Sequence, residues 1–471
     1  MTNTSVLPPR HHPASFRDPS GFVYAARGNY YRQVNRSYAE DYDLLMSSGL
    51  YQKLTDKQLL IPHTEVGDEP EPFPDLYRTL LPRQLSFISY PYEWSFDQLK
   101  DAALLTLRIL KIAVSYGMIL KDATPYNVQF QGSSPVFIDT LSFEKYDPDK
   151  PWIAYRQFCE CFLYPLLLEH YAHIDAQRLL SVYLDGIPAK TVATLLPARC
   201  RFKLGIWLHV YLQLAVSNRA NTRSNRKETT ATHFSKEKML RLIGHLRSII
   251  KDLHINAGTK STWNNYYAET ILSQNYLKEK EKVFRSFLDD IQPGSLLDIG
   301  CNDGYFSLIG AEKSSRVMAA DFDSQCINRL YLSLKETPDK NVTPLIIDLS
   351  NPSPAIGFRN AERQSFAERS AADTVIALAL IHHLVLSKNI PLPDVARQLS
   401  ELTKNQLIIE FVPLEDEKSK QLIAQKTVYH LPYDVQAFEH HFSPWFEIEK
   451  RQIIPGTERV LYRLKKRLKN G

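Results

Sequence analysis

The sequence predicts two halves: a doubly wound α/β domain in the C-terminal half and an α+β domain in the N-terminal half. Three observations predict the C-terminal domain: apolar strands, helical stretches between them, and acidic residues at the strand ends. The strands are expected at residues 296–299, 316–321, 342–348, 372–380 and 406–412. Continuous apolar strands separated by helical stretches are typical of a parallel sheet that is covered on both faces.

A glycine-bearing turn follows the first strand and opens into a helix. A dinucleotide-binding turn needs G-x-G-x-x-G, and the chain has Asn302 and Tyr305 where the second and third glycines belong. The stretch from Asp298 instead resembles motif I of class I S-adenosylmethionine (SAM) dependent methyltransferases, an acidic residue followed by G-x-G-x-G. Gly300 and Gly304 match that motif. Asn302 is a mild departure because asparagine tolerates positive φ.

The resemblance implies SAM as the cofactor and a role for each acidic strand end. Asp298 and the backbone from Gly300 to Gly304 would line the methionine part of SAM. Asp321, which ends the second strand, would bind the ribose hydroxyls, and Asp348, which ends the third, would meet the adenine amino group. No metal ion is expected in this domain.

Composition limits the other classes of function. The chain has 471 residues and a net charge of +5, so it carries no strong nucleic-acid signal. Five cysteines without paired metal-ligand spacing suit a reducing cytoplasm. The N-terminus lacks the apolar core of a signal peptide, and the longest apolar runs, 104–120 and 162–168, are interrupted by charge or too short to span a bilayer.

The N-terminal half carries a second motif. Ser95 and Gln98 have the form of a capping box, and a helix is expected to follow them. Asp122, Asn127 and Asp139 come next, in a segment that resembles the catalytic loop and hairpin of protein-kinase-like phosphotransferases, especially the aminoglycoside and choline kinase branch. The resemblance implies that Asp122 is the catalytic base, Asn127 a magnesium ligand and Asp139 the second metal-binding acid.

Several features depart from that family. Leu120 replaces the usual His or Tyr, Thr140 and Leu141 replace Phe-Gly, and no glycine-rich phosphate loop is evident upstream. Residues 21–34 are predicted to form a hairpin with Gly28 and Asn29 at its turn. Four interpretations stay open: an active kinase, a degenerate kinase-like scaffold, a substrate-docking domain, or a coincidence. The scaffold or docking interpretation is preferred.

The kinase-like motif of the N-terminal half and the methyltransferase motif of the C-terminal half occur in one chain. This combination resembles a group of bacterial two-part methyltransferases related to the rhizobial nodulation protein NoeA. The expected domains are a kinase-like domain at 1–216, a linker and bridging helix at 217–258, and a methyltransferase domain at 259–471. Aromatic residues at 263–267 and Tyr276 would either cover the SAM pocket or pack in the core. The basic residues 463–469 are expected to form a solvated tail.

The segment after the fourth predicted strand gives information on the class of methyl acceptor. That segment lacks the N/D-P-P-Y/F clamp for a flipped base amine and has no Pro-Cys pair, which disfavours DNA base methylation. His382, His383 and Glu410 are the candidate acceptor-side residues, since a histidine could remove a proton from a hydroxyl near neutral pH. The alternative is that one histidine packs in the core while the other caps the following helix.

The sequence therefore predicts a cytoplasmic SAM-dependent methyltransferase. Its acceptor would be a small molecule or saccharide-type metabolite with oxygen as the target atom, recognised with the help of the kinase-like domain. Two other classes are kept: a bifunctional kinase/methyltransferase and a non-catalytic SAM-binding regulator. The sequence does not define the oligomeric state.

Overall fold

The protein divides into two compact units. The structure is a computed structural model, and it describes residues 10–67, 73–215, 234–255, 274–337, 341–424 and 432–467. Unit 1 comprises Met1–Ala257 together with Ala355–Arg363, and unit 2 comprises Gly258–Pro354 together with Gln364–Gly471. The predicted polar linker at 217–233 and the aromatic stretch at 263–267 lie outside the described residues.

Unit 1 begins with a five-stranded antiparallel sheet of order β1-β2-β3-β5-β4. Its strands are β1 (Arg10–His11), β2 (Gly21–Ala26), β3 (Asn29–Asn35), β4 (His63–Val66) and β5 (Leu76–Pro82). The predicted hairpin is present as β2 and β3. Its two turn residues are Arg27 and Gly28, with φ of 51° and 78°, because Ala26 pairs with Asn29. Positive φ at both positions is typical of a type I′ turn.

The rest of unit 1 is mainly helical. The helices are α1 (Ala39–Ser47), α2 (Leu50–Asp56), α3 (Phe96–Ser115), α4 (Tyr155–Phe158), α5 (Tyr164–Ala172), α6 (Ala189–Leu195), α7 (Leu204–Ile206) and α8 (Lys236–Asp252). π-helical turns occur at Cys159–Leu163 and Trp207–Tyr211. Two further strand pairs are β6 (Met118–Leu120) with β9 (Phe143–Lys145) and β7 (Val128–Gln131) with β8 (Ser134–Phe137). At the start of α3, Gln98 Oε1 accepts the N–H of Ser95 at 2.9 Å, as the capping pattern predicts.

Unit 2 is built on a seven-stranded sheet of order β12-β11-β10-β13-β14-β16-β15. Its strands are β10 (Ser295–Ile299), β11 (Arg316–Asp321), β12 (Val342–Ile346), β13 (Ala372–Ala377), β14 (Thr403–Phe411), β15 (Phe446–Ile453) and β16 (Val460–Lys466). Its helices are α9 (Gln274–Asp289), α10 (Tyr305–Gly310), α11 (Ser324–Glu336), α12 (Phe366–Ser370), α13 (Leu392–Leu402), α14 (Glu417–Ala424) and α15 (Val435–Phe442). A π-helical turn occurs at His383–Ser387.

The five predicted strands are all present, and all five pair in parallel. The chain winds outward from β10 in both directions, which is the doubly wound arrangement. The predicted fourth strand is shorter than expected, because the backbone of Ala379 lies in the left-handed region, with φ of 51°, and so departs from strand geometry.

The basic stretch that was predicted to be a solvated tail forms a strand over its first four residues, although the Lys465 side chain stays exposed. Residues 463–466 belong to β16, which pairs antiparallel with both β14 and β15. Leu464 is buried in the core, and the Nη1 atom of Arg463 lies 2.6 Å from Asp290 Oδ2. Arg463 can occupy a largely buried strand position because Asp290 pairs with its charge. The sequence pattern alone predicts that an arginine at this position is exposed.

Two general features complete the fold. None of the described helices has the length and apolar composition that crossing a membrane requires. The five cysteines are buried and form no disulfide bond.

Candidate functional site

The carboxyl ends of β10, β11 and β12 form the candidate cofactor edge. β10 pairs in parallel with β11 on one side and with β13 on the other, so the strand order reverses there. Doubly wound sheets bind ligands in the crevice at such a reversal, outside the carboxyl ends of the strands. Asp298 lies near the end of β10, Asp321 ends β11, and Asp348 follows β12 by two residues.

The glycine turn after β10 has positive φ at three residues, a conformation that glycine and asparagine adopt most readily. Gly300, Asn302 and Gly304 have φ of 77°, 53° and 83°. A Cβ atom at Gly300 would lie 3.3 Å from Cδ1 of Leu380, and one at Gly304 would lie 2.5 Å from Cδ1 of Leu330. Asn302 therefore takes the positive φ expected of it, and the two glycines allow close approach to neighbouring segments.

Hydrogen bonds fix this turn to the end of β11. The Gly300 N–H donates to the carbonyl of Ala320 at 2.8 Å, and the Asn302 N–H donates to Asp321 Oδ2 at 2.8 Å. The other carboxylate oxygen of Asp321 accepts the N–H of Asp323 at 2.9 Å. Burial raises the pKa of Asp321 to about 6, although these amide donors oppose the shift. The carboxylate thus orders the turn.

Asp298 is the most deeply buried of the three acids. The Ser307 hydroxyl donates to Asp298 Oδ2 at 2.6 Å. Burial raises the pKa of Asp298 to about 7, with a smaller contribution from the charge of Asp321. Asp298 therefore changes its charge close to neutral pH.

Asp348 is less enclosed than the other two acids. Its Oδ1 atom accepts the N–H of Ser350 at 2.9 Å and the hydroxyl of the same serine at 2.6 Å. The second carboxylate oxygen leaves Asp348 with acceptor capacity at this edge. The three predicted cofactor-binding acids consequently lie at the ends of three adjacent strands.

The two candidate histidines lie beyond β13, in the segment whose Leu380 approaches Gly300. Their ring centroids are 4.1 Å apart. His382 is fully buried, and within the described residues neither of its ring nitrogens has a hydrogen-bond partner. Burial lowers the pKa of His382 well below its ordinary value and the pKa of His383 to about 4. Both imidazoles are therefore neutral at pH 7.

Glu410 lies at the end of β14 in a buried polar cluster. The Tyr276 hydroxyl donates to Glu410 Oε1 at 2.6 Å, Lys280 Nζ lies 2.5 Å from Oε2, and Arg459 Nη1 lies 3.3 Å from Oε1. Arg459 also binds Asp416 through two hydrogen bonds of 2.8 and 3.0 Å. Although burial alone raises the pKa of Glu410, the two adjacent cations hold it below its ordinary value.

Sequence reasoning missed the cationic members of this cluster. One signal was available for Lys280, which lies among the apolar positions Tyr276, Val283 and Phe284 of the amphipathic helix α9. A lysine on a buried helix face requires a partner. Arg459 carried no comparable local signal, since it lies in the loop before β16 and meets Glu410 only through the fold.

The three kinase-like residues of unit 1 come together as one cluster. Asn127 Nδ2 donates to Asp122 Oδ2 at 2.9 Å and lies 3.1 Å from the hydroxyl oxygen of Ser142. The Ser142 hydroxyl donates to Asp139, and the guanidinium of Arg32 forms an ion pair with the same carboxylate. Arg32 lies on β3 and was not predicted, because 107 residues separate it from Asp139.

Of the two acids in this cluster, Asp139 is paired with a cation, whereas Asp122 accepts a hydrogen bond from the Asn127 amide. Burial raises the pKa of Asp122, and the nearby Asp139 charge raises it further. Asp139 is balanced by Arg32. Across the described parts of the chain, no group of three or more His, Cys, Asp or Glu side chains has the arrangement of a metal site.

The chain is similar in sequence to known proteins. No protein-family model matches the chain. The nodulation protein NoeA of Rhizobium meliloti (strain 1021) is 32% identical over 456 residues, which cover 95% of this chain and 94% of NoeA. The O-antigen chain terminator bifunctional methyltransferase/kinase WbdD of Escherichia coli is 27% identical over 184 residues, which cover 36% of this chain and 23% of WbdD.

Solved structures also match part of the chain. The N-methyltransferase NodS from Bradyrhizobium japonicum WM9 has a TM-score of 0.32 at 11% identity, over 42% of this chain and 99% of NodS. The magnesium protoporphyrin IX methyltransferase ChlM from Synechocystis PCC 6803, with bound SAM, has a TM-score of 0.30 at 16% identity, over 44% of this chain and 89% of ChlM. These TM-scores are too low to assign the fold. The assignment of a doubly wound fold to unit 2 therefore depends on its own strand order and glycine turn.

The enzyme class predicted from the glycine turn, a methyltransferase, agrees with the name of WbdD. The predicted family is confirmed by the sequence relative that spans nearly the whole chain. The chain belongs to the NoeA family.

Proposed function

We propose that this SAM-dependent methyltransferase methylates an oxygen atom of a small-molecule or saccharide-type acceptor in the cytoplasm. We further propose that unit 1 has a kinase-like core that recognises the acceptor and does not transfer phosphate. The observation that carries the proposal is the glycine turn, fixed to the end of β11 beside acids at three adjacent strand ends.

The residues at this edge fit SAM. Each oxygen of Asp321 accepts one of the amide bonds described above, and a carboxylate has further lone pairs for two ribose hydroxyls. Asp348 has an oxygen suited to the adenine amino group. SAM carries a positively charged sulfonium and a positively charged ammonium, so the ionised form of Asp298 favours its methionine part. When bound, SAM supplies the methyl group.

His382 is the preferred acceptor-side residue. A buried polar atom without a partner is unfavourable, and in a native protein it can mark a catalytic group or a position for water or an ion. The imidazole is neutral, so one ring nitrogen can accept the proton of a hydroxyl while the other donates. During methyl transfer to a hydroxyl, one ring nitrogen of His382 would take up the proton that the acceptor oxygen loses.

Glu410 is less suited to be the base, although it was also predicted. Its carboxylate already interacts with Tyr276, Lys280 and Arg459, and its pKa is below the ordinary value. We therefore assign it the role of holding α9 to the end of β14. His383 remains the second candidate, since it is only partly buried and follows His382 directly.

The pairing of Arg32 with Asp139 supports a scaffold role for unit 1. In an active phosphotransferase of the resembled family, this acid would bind magnesium. Here a guanidinium already balances it, and Ser142 donates to its second oxygen. WbdD is named as an O-antigen chain terminator, which supports a saccharide-type acceptor for this chain.

A bifunctional kinase/methyltransferase is the second candidate. The convergence of Asp122, Asn127 and Asp139 favours it, and WbdD is named as such a bifunctional protein. A non-catalytic SAM-binding regulator is the third candidate, and it predicts that SAM is bound and never consumed.

Methyl transfer from isotope-labelled SAM tests the proposal. The wild-type protein would be incubated with panels of hydroxylated small molecules and oligosaccharides, and labelled products analysed for O-methyl groups. His382→Asn should reduce kcat by about 10²-fold or more, since a lost general base has that effect, while SAM affinity stays unchanged. The exposed His440 provides a matched control, and His440→Asn should behave as the wild type.

Three results would each contradict one part of this proposal. Equal turnover in His382→Asn and wild type would remove the histidine from the acceptor site. Bound SAM that is never converted with any acceptor class, in a protein that binds it tightly, would favour the regulator. A product methylated on nitrogen would retain the enzyme class and reject oxygen as the target.

A further inference from the structure

Unit 1 exposes an apolar cluster at residues 202–207, which include α7 and the first residue of the π-helical turn Trp207–Tyr211. The exposed fractions are 91% for Phe202, 69% for Leu204 and 45% for Trp207. In the part of the chain that the structure describes, no other stretch of six residues exposes three large apolar side chains. Exposed apolar clusters of this kind mark interaction surfaces.

The segment is held in place by the residues between the exposed ones. Cys200 and Ile206 are buried. A Cβ atom at Gly205 would lie 2.7 Å from Cδ1 of Ile249, so the backbone packs directly against α8. The inward-facing positions are thus occupied by other side chains, and Phe202 and Leu204 remain outside.

Cations alternate with these apolar side chains. Arg199, Arg201 and Lys203 are all exposed. The guanidinium of Arg201 lies 5.6 Å from the ring centroid of Tyr211, and the Nζ atom of Lys203 lies 5.0 Å from that of Tyr171. These ring contacts place positive charge beside the apolar cluster.

The surrounding sequence is uniformly basic. No aspartate or glutamate occurs between Asp185 and Glu228. The same stretch contains eight cationic residues, namely Lys190, Arg199, Arg201, Lys203, Arg219, Arg223, Arg226 and Lys227. The whole chain has a net charge of +5, so the remainder of the chain is net acidic, at +5 minus +8, or −3. The net positive charge is therefore concentrated in this stretch of the sequence.

We propose that this surface, residues 199–207, docks the protein on an anionic lipid membrane without spanning it. Apolar side chains that enter the interface and cations that meet anionic headgroups are the two contributions to such binding. Tryptophan and other amphipathic aromatics favour the headgroup level. The inference goes beyond the proposed methyl transfer, because it names a surface outside both candidate sites.

Other occupants fit this surface less well. A symmetric contact with a second copy would bring like charges of Arg199, Arg201 and Lys203 together, which is unfavourable. Single-stranded nucleic acid stacks on aromatic rings, and Leu204 offers no ring for a base. A lipid surface uses the aliphatic, aromatic and cationic side chains together.

Vesicle co-sedimentation with the full chain tests the proposal. The vesicles would contain phosphatidylcholine alone, or equal parts of phosphatidylcholine and phosphatidylglycerol. Wild type should bind the mixed vesicles and bind the neutral ones weakly. R201Q/K203Q should lower the partition coefficient by about 30-fold, since each cation near such a surface contributes about fivefold. Binding should also fall at high salt.

The apolar contribution needs its own pair of variants. Leu204→Ala should weaken binding to mixed vesicles, whereas Ile153→Ala should not, although Ile153 is 72% exposed and lies in the same unit. Lys53 and Lys57 are also exposed, so K53Q/K57Q is the matched control for the charge variant. Thermal melting confirms that each variant folds, and all replaced side chains are exposed.

Three outcomes would overturn the membrane proposal. The first is that wild type fails to bind mixed vesicles at low salt. The second is that Leu204→Ala and R201Q/K203Q bind as tightly as their matched controls. The third is that vesicles are not bound while the same variants abolish binding of a single-stranded RNA homopolymer or abolish self-association in sedimentation velocity.

Discussion

The Nζ atom of Lys280 lies 2.5 Å from Oε2 of Glu410, and both side chains are withdrawn from solvent. The pair joins α9 to the carboxyl end of β14. Arg459, which also approaches Glu410, has Asp416 as its second partner. The four charges therefore balance, and each cation has a carboxylate partner. A buried pair of this kind is costly to break from one side only.

Breaking the Lys280–Glu410 pair should destabilise unit 2. Glu410→Gln and Lys280→Met should each lower the free energy of unfolding by about 3–5 kcal/mol, because each leaves the buried cluster with one uncompensated charge. The double variant should lose less than the sum, since Arg459 and Asp416 still balance one another. Chemical denaturation of all four proteins gives the coupling energy.

The coupling energy of the buried pair can be compared with that of an exposed ion pair. Arg397 and Glu401 form an exposed ion pair of 3.2 Å on α13. Their coupling, measured in the same way, should be only a few tenths of a kcal/mol. Additive losses at Lys280 and Glu410 would contradict the structural role assigned to the buried pair.

Gly300→Val should abolish SAM binding. The added side chain would approach Leu380 and occupy the space between the turn and the cofactor, at a backbone φ of 77°. Gly456 has the same φ, and a Cβ atom there would meet nothing within 4 Å. Gly456→Val therefore carries the backbone strain alone, about 1 kcal/mol or more. Calorimetry should find SAM binding in Gly456→Val and none in Gly300→Val.

Asp298 should make the stability of unit 2 depend on pH. Its folded-state pKa of about 7 lies above its ordinary value of 3.8, so the folded chain binds more protons between these two values. The stabilising contribution is fully present below about pH 4 and is lost as the pH rises through about 7.

Denaturation at several pH values tests this dependence. The wild-type free energy of unfolding should fall with rising pH by up to about 1.4 kcal/mol per pH unit more steeply than that of Asp298→Asn. Asp321 contributes in the same direction, with a pKa of about 6, and it does so in both proteins. Parallel pH profiles for the two proteins would show that Asp298 titrates normally.

The position of three acids at one edge of the sheet could be predicted from the sequence, whereas the cationic partners of Glu410 and Asp139 could not. Asp298, Asp321 and Asp348 each end a locally recognisable apolar strand, and parallel strands place their carboxyl ends at one edge. The glycine turn is likewise a local pattern. The buried pairs Lys280–Glu410 and Arg32–Asp139 join residues more than a hundred positions apart, so no local periodicity reveals them.

Strand β16 illustrates a second limit. Most of its residues are buried, but the basic side chains of Arg463, Lys465 and Lys466 made residues 463–466 resemble a solvated tail. The charge of Arg463 is instead satisfied by Asp290, which lies at the other end of unit 2 in sequence. Patterns that treat every arginine as exposed fail where the fold supplies a carboxylate.

Unit 1 should recognise the acceptor without binding nucleotide. Asp122→Asn and Asp139→Asn should keep wild-type SAM affinity and lose methyl transfer, because they disturb the cluster around Asn127 and Arg32. Asp147→Asn, at an exposed pair with Lys150, is the control and should keep full transfer. An ATP-binding assay with magnesium should detect no binding. Tight magnesium-dependent ATP binding that both cluster variants abolish would establish the bifunctional enzyme instead.

We expect unit 2 to bind SAM with the ribose hydroxyls on Asp321. Calorimetry of SAM binding to the wild type and to Asp321→Ala is the direct test. The variant should lose on the order of 2–3 kcal/mol of binding free energy for SAM, because two hydroxyl donors lose a charged acceptor. An analogue without the two ribose hydroxyls should bind wild type and variant equally, which separates loss of the ribose contact from loosening of the glycine turn. Equal SAM affinity in the two proteins would contradict the account.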